Sequence, residues 1–202
     1  MEVFHFLQPY MEECFQESCQ FIQTELEIHA NGIWKDFGGF INGILDSVVY
    51  MQRQDKKGDI QYLSFSFLRY GIYLDRLELR MDVLDDGFYL DEREAAGYYC
   101  PIFLQDRYLR DLTYLYQKAE EKFIRMQEYE LVKIKNKYTG FYKSILLKIV
   151  ESLSELIVEE VEKSGVYITD DFKIIYGEYM DSATVVYAKE KSQDEIFSNR
   201  NG

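Results

Sequence analysis

The sequence predicts an α+β fold in which an antiparallel sheet packs against about four helices. Apolar residues recur at three- and four-residue steps near the N-terminus and again after residue 106, whereas they alternate with polar residues between residues 62 and 83. The first pattern is typical of helices and the second of half-buried strands. Because the two patterns occur in blocks and do not alternate along the chain, α+β is favoured over a doubly wound α/β fold.

Four segments show the helical pattern, at residues 9–32, 34–48, 106–126 and 142–165. Pro9 is well placed in a first helical turn. Asn31-Gly32 predicts the end of the first helix, because Asn and Gly are common just beyond a helix C-terminus.

The strand pattern predicts a three-stranded meander over residues 59–90, with turns at Gly71 and at Asp86-Gly87. An Asp-Gly pair is typical of a type I′ hairpin turn, in which both central residues have positive φ. Two β-rich runs around Asp181-Ser182 predict a C-terminal hairpin. We expect residues 1–188 to form a single α+β domain and residues 189–202 to form a frayed tail.

The chain is strongly acidic. Its 202 residues include 36 Asp and Glu against 23 Lys and Arg, which gives a formal net charge of −13. Such a charge repels phosphate backbones and anionic lipids, so we expect no nucleic acid and no membrane as a partner, whereas a basic protein would be attracted. Three cysteines without metal-like spacing, and the lack of a signal peptide or a long apolar run, predict a reduced, soluble, cytoplasmic protein.

The segment "DVLDDGFYLDERE", residues 82–94, places six carboxylates around one glycine. An EF-hand calcium loop with Gly87 at its sixth position needs an oxygen ligand where Leu84 stands and a glutamate where Arg93 stands. Neither side chain can take that role. The segment is therefore predicted to be an acidic turn, and we expect neither a metal nor another cofactor.

Residues suited to catalysis are scattered along the chain. His5 and His29 belong to no H-E-x-x-H motif or Cys/His cluster, and no motif links either histidine to Cys100. A hydrolase or a metal-dependent nuclease would need carboxylates that converge only in three dimensions. That arrangement is the enzyme alternative.

Two sets of residues are candidates for binding a partner: the acidic and aromatic residues around the end of the predicted meander, and part of a lysine-rich stretch. Residues 131–150 contain five lysines and no acid, whereas the next twelve residues contain five glutamates. Tyrosine is included because it is common at interfaces. The candidates are Asp82, Asp85, Asp86, Asp91, Glu92, Glu94, Tyr98, Tyr99, Lys133, Lys135 and Lys137.

These observations favour a non-catalytic, acidic protein-binding module. An inhibitory partner of a basic protein, such as a toxin-neutralising immunity protein, fits the size and the charge. Besides the enzyme, a small-ligand sensor with an aromatic pocket is an alternative. No feature of the sequence indicates an oligomeric state.

Overall fold

The computed structural model describes residues 2–90, 93–123 and 125–189. Its helices are α1 (Glu2–Gln52), α2 (Arg69–Tyr73), α3 (Ile102–Lys122) and α4 (Glu128–Ser164), with a 3₁₀ turn at Phe88–Leu90. Its strands are β1 (Ile60–Phe67), β2 (Leu79–Leu84), β3 (Ala96–Tyr99), β4 (Ile168–Glu178) and β5 (Ala183–Ala188). The predicted α+β class is confirmed. The predicted tail lies outside the described residues from Glu190 onward.

Helix α1 joins two helices that the sequence pattern separates. The boundary predicted at Asn31-Gly32 is displaced by two residues, because two helices meet at a kink at His29, where φ is −112° and ψ is 15°, and the second helix includes both Asn31 and Gly32. A glycine inside a helix costs only about 1 kcal/mol relative to alanine. Ile22 before the kink and Phe37 after it are both buried, and burial of such side chains outweighs that penalty.

The five strands form one mixed sheet in the order β3-β2-β1-β4-β5. Strands β4 and β5 form the predicted C-terminal hairpin, with Lys173 opposite Ala188 and Gly177 opposite Ala183. The expectation of a wholly antiparallel sheet is wrong, because β1 and β4 run parallel. The backbone N–H of Ile60, at the start of β1, donates to the carbonyl oxygen of Tyr167, just before the start of β4. Side chains alternate in the same way in both kinds of pairing, so the sequence pattern does not encode strand direction.

The third strand of the meander lies later in the chain than the sequence predicts. Residues Phe88–Leu90 form a 3₁₀ turn, and β3 begins only at Ala96. The predicted type I′ turn is wrong, because positive φ occurs at Phe88, at 52°, and not at Asp86 or Gly87. Asp85 accounts for the difference: its carboxylate accepts a hydrogen bond from the backbone N–H of Gly87 at 2.9 Å and holds a different turn.

The reversal at Gly71 takes the form of the short helix α2. The carbonyl oxygen of Gly71 accepts hydrogen bonds from the backbone N–H groups of Leu74 and Arg76. A Cβ atom on residue 71 would lie 2.5 Å from the carbonyl oxygen of Arg76, which is closer than a side chain tolerates. The chain therefore needs glycine at this position, although the turn is helical.

The chain folds into two compact units. The helical unit comprises Met1–Phe37, Phe67–Leu79 and Tyr99–Ile149. The sheet unit comprises Gly38–Ser66, Arg80–Tyr98 and Val150–Gly202. That residues 1–188 behave as a single domain stays a prediction.

A buried carboxylate lies in the core of the helical unit. Asp111 of α3 is 2% exposed. Its Oδ2 atom accepts hydrogen bonds from the hydroxyls of Ser18, Tyr138 and Tyr142 at 2.5, 2.6 and 2.8 Å. Its Oδ1 atom lies 3.2 Å from Nε of Arg107, which also donates to Ser18 Oγ at 2.7 Å. One carboxylate therefore connects α1, α3 and α4.

The surrounding hydroxyls are held in their neutral form. Burial raises the pKa of Tyr138 and of Tyr142, and the negative charge of Asp111 raises both further. Burial also raises the pKa of Tyr108 to about 12. The neutral hydroxyls of Tyr138 and Tyr142 can donate to the carboxylate, so the cluster is satisfied only while these two tyrosines keep their protons.

Replacing Asp111 by alanine should destabilise the protein by about 3–5 kcal/mol, because three buried hydroxyls lose their acceptor and the guanidinium of Arg107 keeps only the exposed Glu17 as an ion-pair partner. Tyr142→Phe removes one of three hydroxyl donors and should cost about 1 kcal/mol. Urea denaturation measures both free energies of unfolding. Thr113→Ala, an exposed change on the same helix, should stay within about 0.5 kcal/mol of the unchanged protein. An Asp111→Ala loss as small as that of the control would contradict the structural role of the carboxylate.

Stability should fall as the pH rises above about 10, where an unfolded tyrosine ionises. The raised pKa values of Tyr108, Tyr138 and Tyr142 keep the folded side chains protonated there. The unfolded state therefore loses protons first, and the free energy of unfolding decreases from about pH 10 toward the folded pKa values, whereas below about pH 10 this contribution is constant.

Urea unfolding between about pH 8 and about pH 11.5 measures this dependence. Tyr142→Phe should reduce the slope by up to about 1.4 kcal/mol per pH unit, and the exposed control Tyr50→Phe should leave it unchanged. Equal slopes in both variants would show that the buried hydroxyls do not govern the alkaline loss of stability.

Candidate protein-binding surface

Arg80 of the sheet unit lies two residues before the acidic segment, residues 82–94, and its guanidinium binds two acids of that segment, Asp82 and Glu94. It belongs to β2, in which all six residues are buried. The sequence assigns Arg80 to a face in contact with water, but its side chain is only 11% exposed. Alternation of polar and apolar residues shows which side chains share a face, and it does not show whether that face is covered.

Three of the candidate residues bind Arg80. Both carboxylate oxygens of Asp82 accept hydrogen bonds from Nε at 2.9 Å, and one also accepts from Nη2 at 2.7 Å. Nη2 also donates to Glu94, and Nη1 donates to the hydroxyl of Tyr98 at 2.9 Å. The hydrogen bonds to Asp82 raise the pKa of the guanidinium in spite of its burial. The side chain of Asp82 is 4% exposed, so it offers almost no surface to a partner.

Aromatic rings enclose the same guanidinium. Its central carbon lies 4.8 Å from the ring centre of Tyr179 and 5.5 Å from that of Tyr98, within the range of a cation–π interaction. Tyr179 contacts Tyr89 edge-on at 5.8 Å, and Phe88 contacts Tyr62 of β1 at 5.1 Å. Phe88 and Tyr89 of the acidic segment therefore pack against one ring from β1 and one from the turn after β4.

The remaining carboxylates of the segment differ in exposure. Asp85 is half-buried and holds its own turn through the backbone N–H of Gly87. Asp86 is exposed, and the side chain of Glu94 is 67% exposed although it binds Arg80. Asp91 and Glu92 lie outside the described residues. Within the described part of the segment, Asp86 and Glu94 are thus the carboxylates that a partner could reach.

The neighbouring tyrosines Tyr98 and Tyr99 have different surroundings. Tyr98 is 57% exposed and binds Arg80 in the sheet unit. Tyr99 belongs to the helical unit, where its hydroxyl donates to Asp36 at 2.9 Å and burial raises its pKa. Tyr98 is therefore the more accessible of the two.

The candidate lysines belong to the helical unit. Lys135 is 12% exposed, and its Nζ atom lies 2.7 Å from a carboxylate oxygen of Asp75. Lys133 and Lys137 are exposed, and Lys137 borders a groove of about 200 Å³ between α1 and α4. Lys135 is therefore part of an intramolecular ion pair, whereas Lys133 and Lys137 are accessible.

The acidic excess of the chain is concentrated in the sheet unit. That unit holds 21 Asp and Glu against 10 Lys and Arg, a net charge of −11, whereas the helical unit holds 15 against 13, a net charge of −2. On α4, the exposed residues Glu155, Glu159 and Glu162 recur at steps of four and three and therefore share one side of the helix. These three glutamates form the acidic face of the sheet unit.

The chain matches no protein-family model, no curated protein and no solved structure. In the part of the chain that the structure describes, no helix is both long and apolar enough to cross a membrane. The same residues bring together no group of three or more His, Cys, Asp or Glu side chains that could hold a metal ion.

Replacing Asp82 by alanine should destabilise the protein by about 3–5 kcal/mol, because the buried guanidinium of Arg80 loses its two-oxygen partner. The matched change Asp86→Ala removes an exposed carboxylate from the same segment and should alter the free energy of unfolding by no more than about 0.5 kcal/mol. Urea denaturation of the two variants compares them directly. Equal and small decreases in the free energy of unfolding of the two variants would mean that the ion pair does not hold the segment in place.

Proposed function

We propose that the protein is a non-catalytic binding module that docks a basic protein on the acidic face of its sheet unit. The observation that carries this proposal is the uneven charge, −11 in the sheet unit against −2 in the helical unit. A basic surface gains more from the field of the sheet unit than from that of the helical unit.

The acidic face is better suited to docking than the acidic segment that the sequence singles out. Asp82 is buried against Arg80, and Asp85 holds a turn. Glu155, Glu159 and Glu162 instead project from one side of a long helix, where Lys163 is the neighbouring base and is itself 63% exposed. Exposed charges on a regular helix can meet a partner with little rearrangement of the fold.

Such an acidic face is suited to an inhibitory role. A module that covers a basic surface can block the contacts which that surface makes with anionic substrates. Neutralising a basic toxin, as an immunity protein does, is one form of this function. It requires tight and fast association, and opposite charge favours both encounter and orientation.

The enzyme and sensor alternatives have less support. The carboxylates in the two buried clusters, around Asp111 and Arg80, are already engaged by internal donors. The groove beside Lys137 measures about 200 Å³, which is below the roughly 300–1,000 Å³ typical of small-molecule sites, so this groove does not itself support a sensor.

A partner captured on the full chain from a lysate of its native host should be basic, and its association should slow as salt rises while dissociation changes less. Once that protein is purified, association kinetics can be measured with the triple variant Glu155→Lys, Glu159→Lys and Glu162→Lys. We expect the association rate to fall about tenfold or more, because the charge that steers the encounter is reversed.

The matched control reverses three exposed acids of the helical unit, as Glu13→Lys, Glu120→Lys and Glu128→Lys. Both triple variants change the total charge equally, so only the location of the change differs. Thermal unfolding shows that both remain folded. Equal effects of the two variants, or association rates indifferent to salt, would refute docking on the acidic face.

A further inference from the structure

Strand β5 is an edge strand that lacks two of the usual protecting devices. It ends the strand order, so no other strand of the described residues lies beyond it. Its six residues, ATVVYA, include no charge and no proline. Proteins commonly protect an edge with lysine, proline or a bulge, because its free N–H and C=O groups can pair with another chain. The register shift of this hairpin lies on β5, because the adjacent residues Ile174 and Ile175 of β4 stand opposite Tyr187 and Val185, so Val186 is the extra residue of a bulge. The edge therefore has a bulge but neither a charge nor a proline.

The apolar surface of the sheet also continues onto β5. Val185 stands opposite Ile175, and residues that stand opposite each other share a face of the sheet. Ile175 is 6% exposed, whereas Val185 is 53% exposed. A further strand beside β5 would cover this apolar side chain.

The backbone of β5 offers hydrogen-bonding groups on its outer side. The N–H of Lys189 donates to the carbonyl oxygen of Phe172 on β4 at 2.9 Å. Successive residues of an antiparallel strand direct their backbone groups to alternate sides, so the N–H and C=O of Ala188 are directed away from β4. Ala188 is exposed, and an added strand could bond both groups.

The opposite edge of the sheet is less suited to pairing. Strand β3 has only four residues, and Gly97 in it lies against α1. A Cβ atom at residue 97 would lie 2.7 Å from the side chain of Ile44, so helix α1 packs closely on this strand.

We propose that β5 is a docking edge at which an extended, basic segment of the partner adds as a further strand. This inference depends on the proposed function and names its mode of docking. Main-chain hydrogen bonds would supply affinity, and apolar side chains beside Val185 would alternate with lysine or arginine.

Charge decides between the possible occupants of this edge. A second copy of the chain would bring one sheet unit of net charge −11 against another. Residues 168–189, which include the hairpin, carry four acids against two lysines, so the local charge is negative as well. A basic strand is attracted by both fields, whereas a second copy is repelled.

The test uses the full chain and short fluorescent peptides of alternating lysine and valine, with binding measured by fluorescence anisotropy. A second peptide has the same sequence but carries N-methyl groups on alternate amides. It keeps its charge but lacks the N–H donors along one side of the extended peptide. A third replaces lysine by glutamate. We expect the first peptide to bind about tenfold or more tightly than the second, and the third to show no binding.

A protein variant supplies an independent comparison. Val185→Lys places a cation on the edge and should weaken binding of the lysine–valine peptide about tenfold. Tyr50→Lys, at a 65% exposed position of α1 in the same unit, makes an equal change in charge and should have little effect. Circular dichroism establishes that both variants are folded.

Equal affinity for the methylated and unmethylated peptides would overturn strand addition, as would the lack of any binding by the lysine–valine peptide. Such a result would leave the proposed function standing if reversal of the acidic face still slowed association of the captured protein. If that reversal had no effect either, docking on the sheet unit would fail altogether.

Discussion

The buried ion pair between Arg80 and Asp82 is the interaction on which the sheet unit depends. A guanidinium in the interior needs a carboxylate with good geometry, and Asp82 supplies both of its oxygens two residues along the same strand. The rings of Tyr98 and Tyr179 also lie against the guanidinium, with their centres 5.5 and 4.8 Å from its central carbon. After β2 the chain forms the 3₁₀ turn Phe88–Leu90, and β3 begins only at Ala96.

A similar solution occurs in the helical unit, where the Asp111 carboxylate is surrounded by Arg107 and three hydroxyls. In both units a buried carboxylate is paired with a neighbouring arginine, so Asp82 and Asp111 add little to the electrostatic field outside the protein. Among the described residues the exposed acids are divided almost equally, ten in the sheet unit, including the row on α4, and nine in the helical unit. The sheet unit has the larger negative charge also because it holds fewer Lys and Arg. Acids buried for structural reasons are thus separate from acids that a partner can reach, although all of them look alike in the sequence.

The sequence predicts the features that depend on local periodicity. The apolar stripes, the α+β class and the C-terminal hairpin follow from spacing and turn residues. The position of the kink in α1 does not follow as closely, because it lies at His29 and the second helix includes the predicted stop signal Asn31-Gly32. The parallel pairing of β1 with β4 and the burial of Arg80 depend on which surfaces meet in three dimensions. A residue pattern shows that Arg80 and Asp82 share a face, but not that aromatic rings cover it.

Amide hydrogen exchange of the full chain, alone and bound to the captured basic protein, tests the assignment of the docking surface most directly. Exchange reports which backbone N–H groups become protected when a partner covers them. We predict slower exchange at residues 155–162 of α4 and at residues 183–188 of β5, with little change at residues 133–148. Protection confined to residues 133–148, in the lysine-rich part of α4, would contradict docking on the sheet unit and assign the contact to the helical unit.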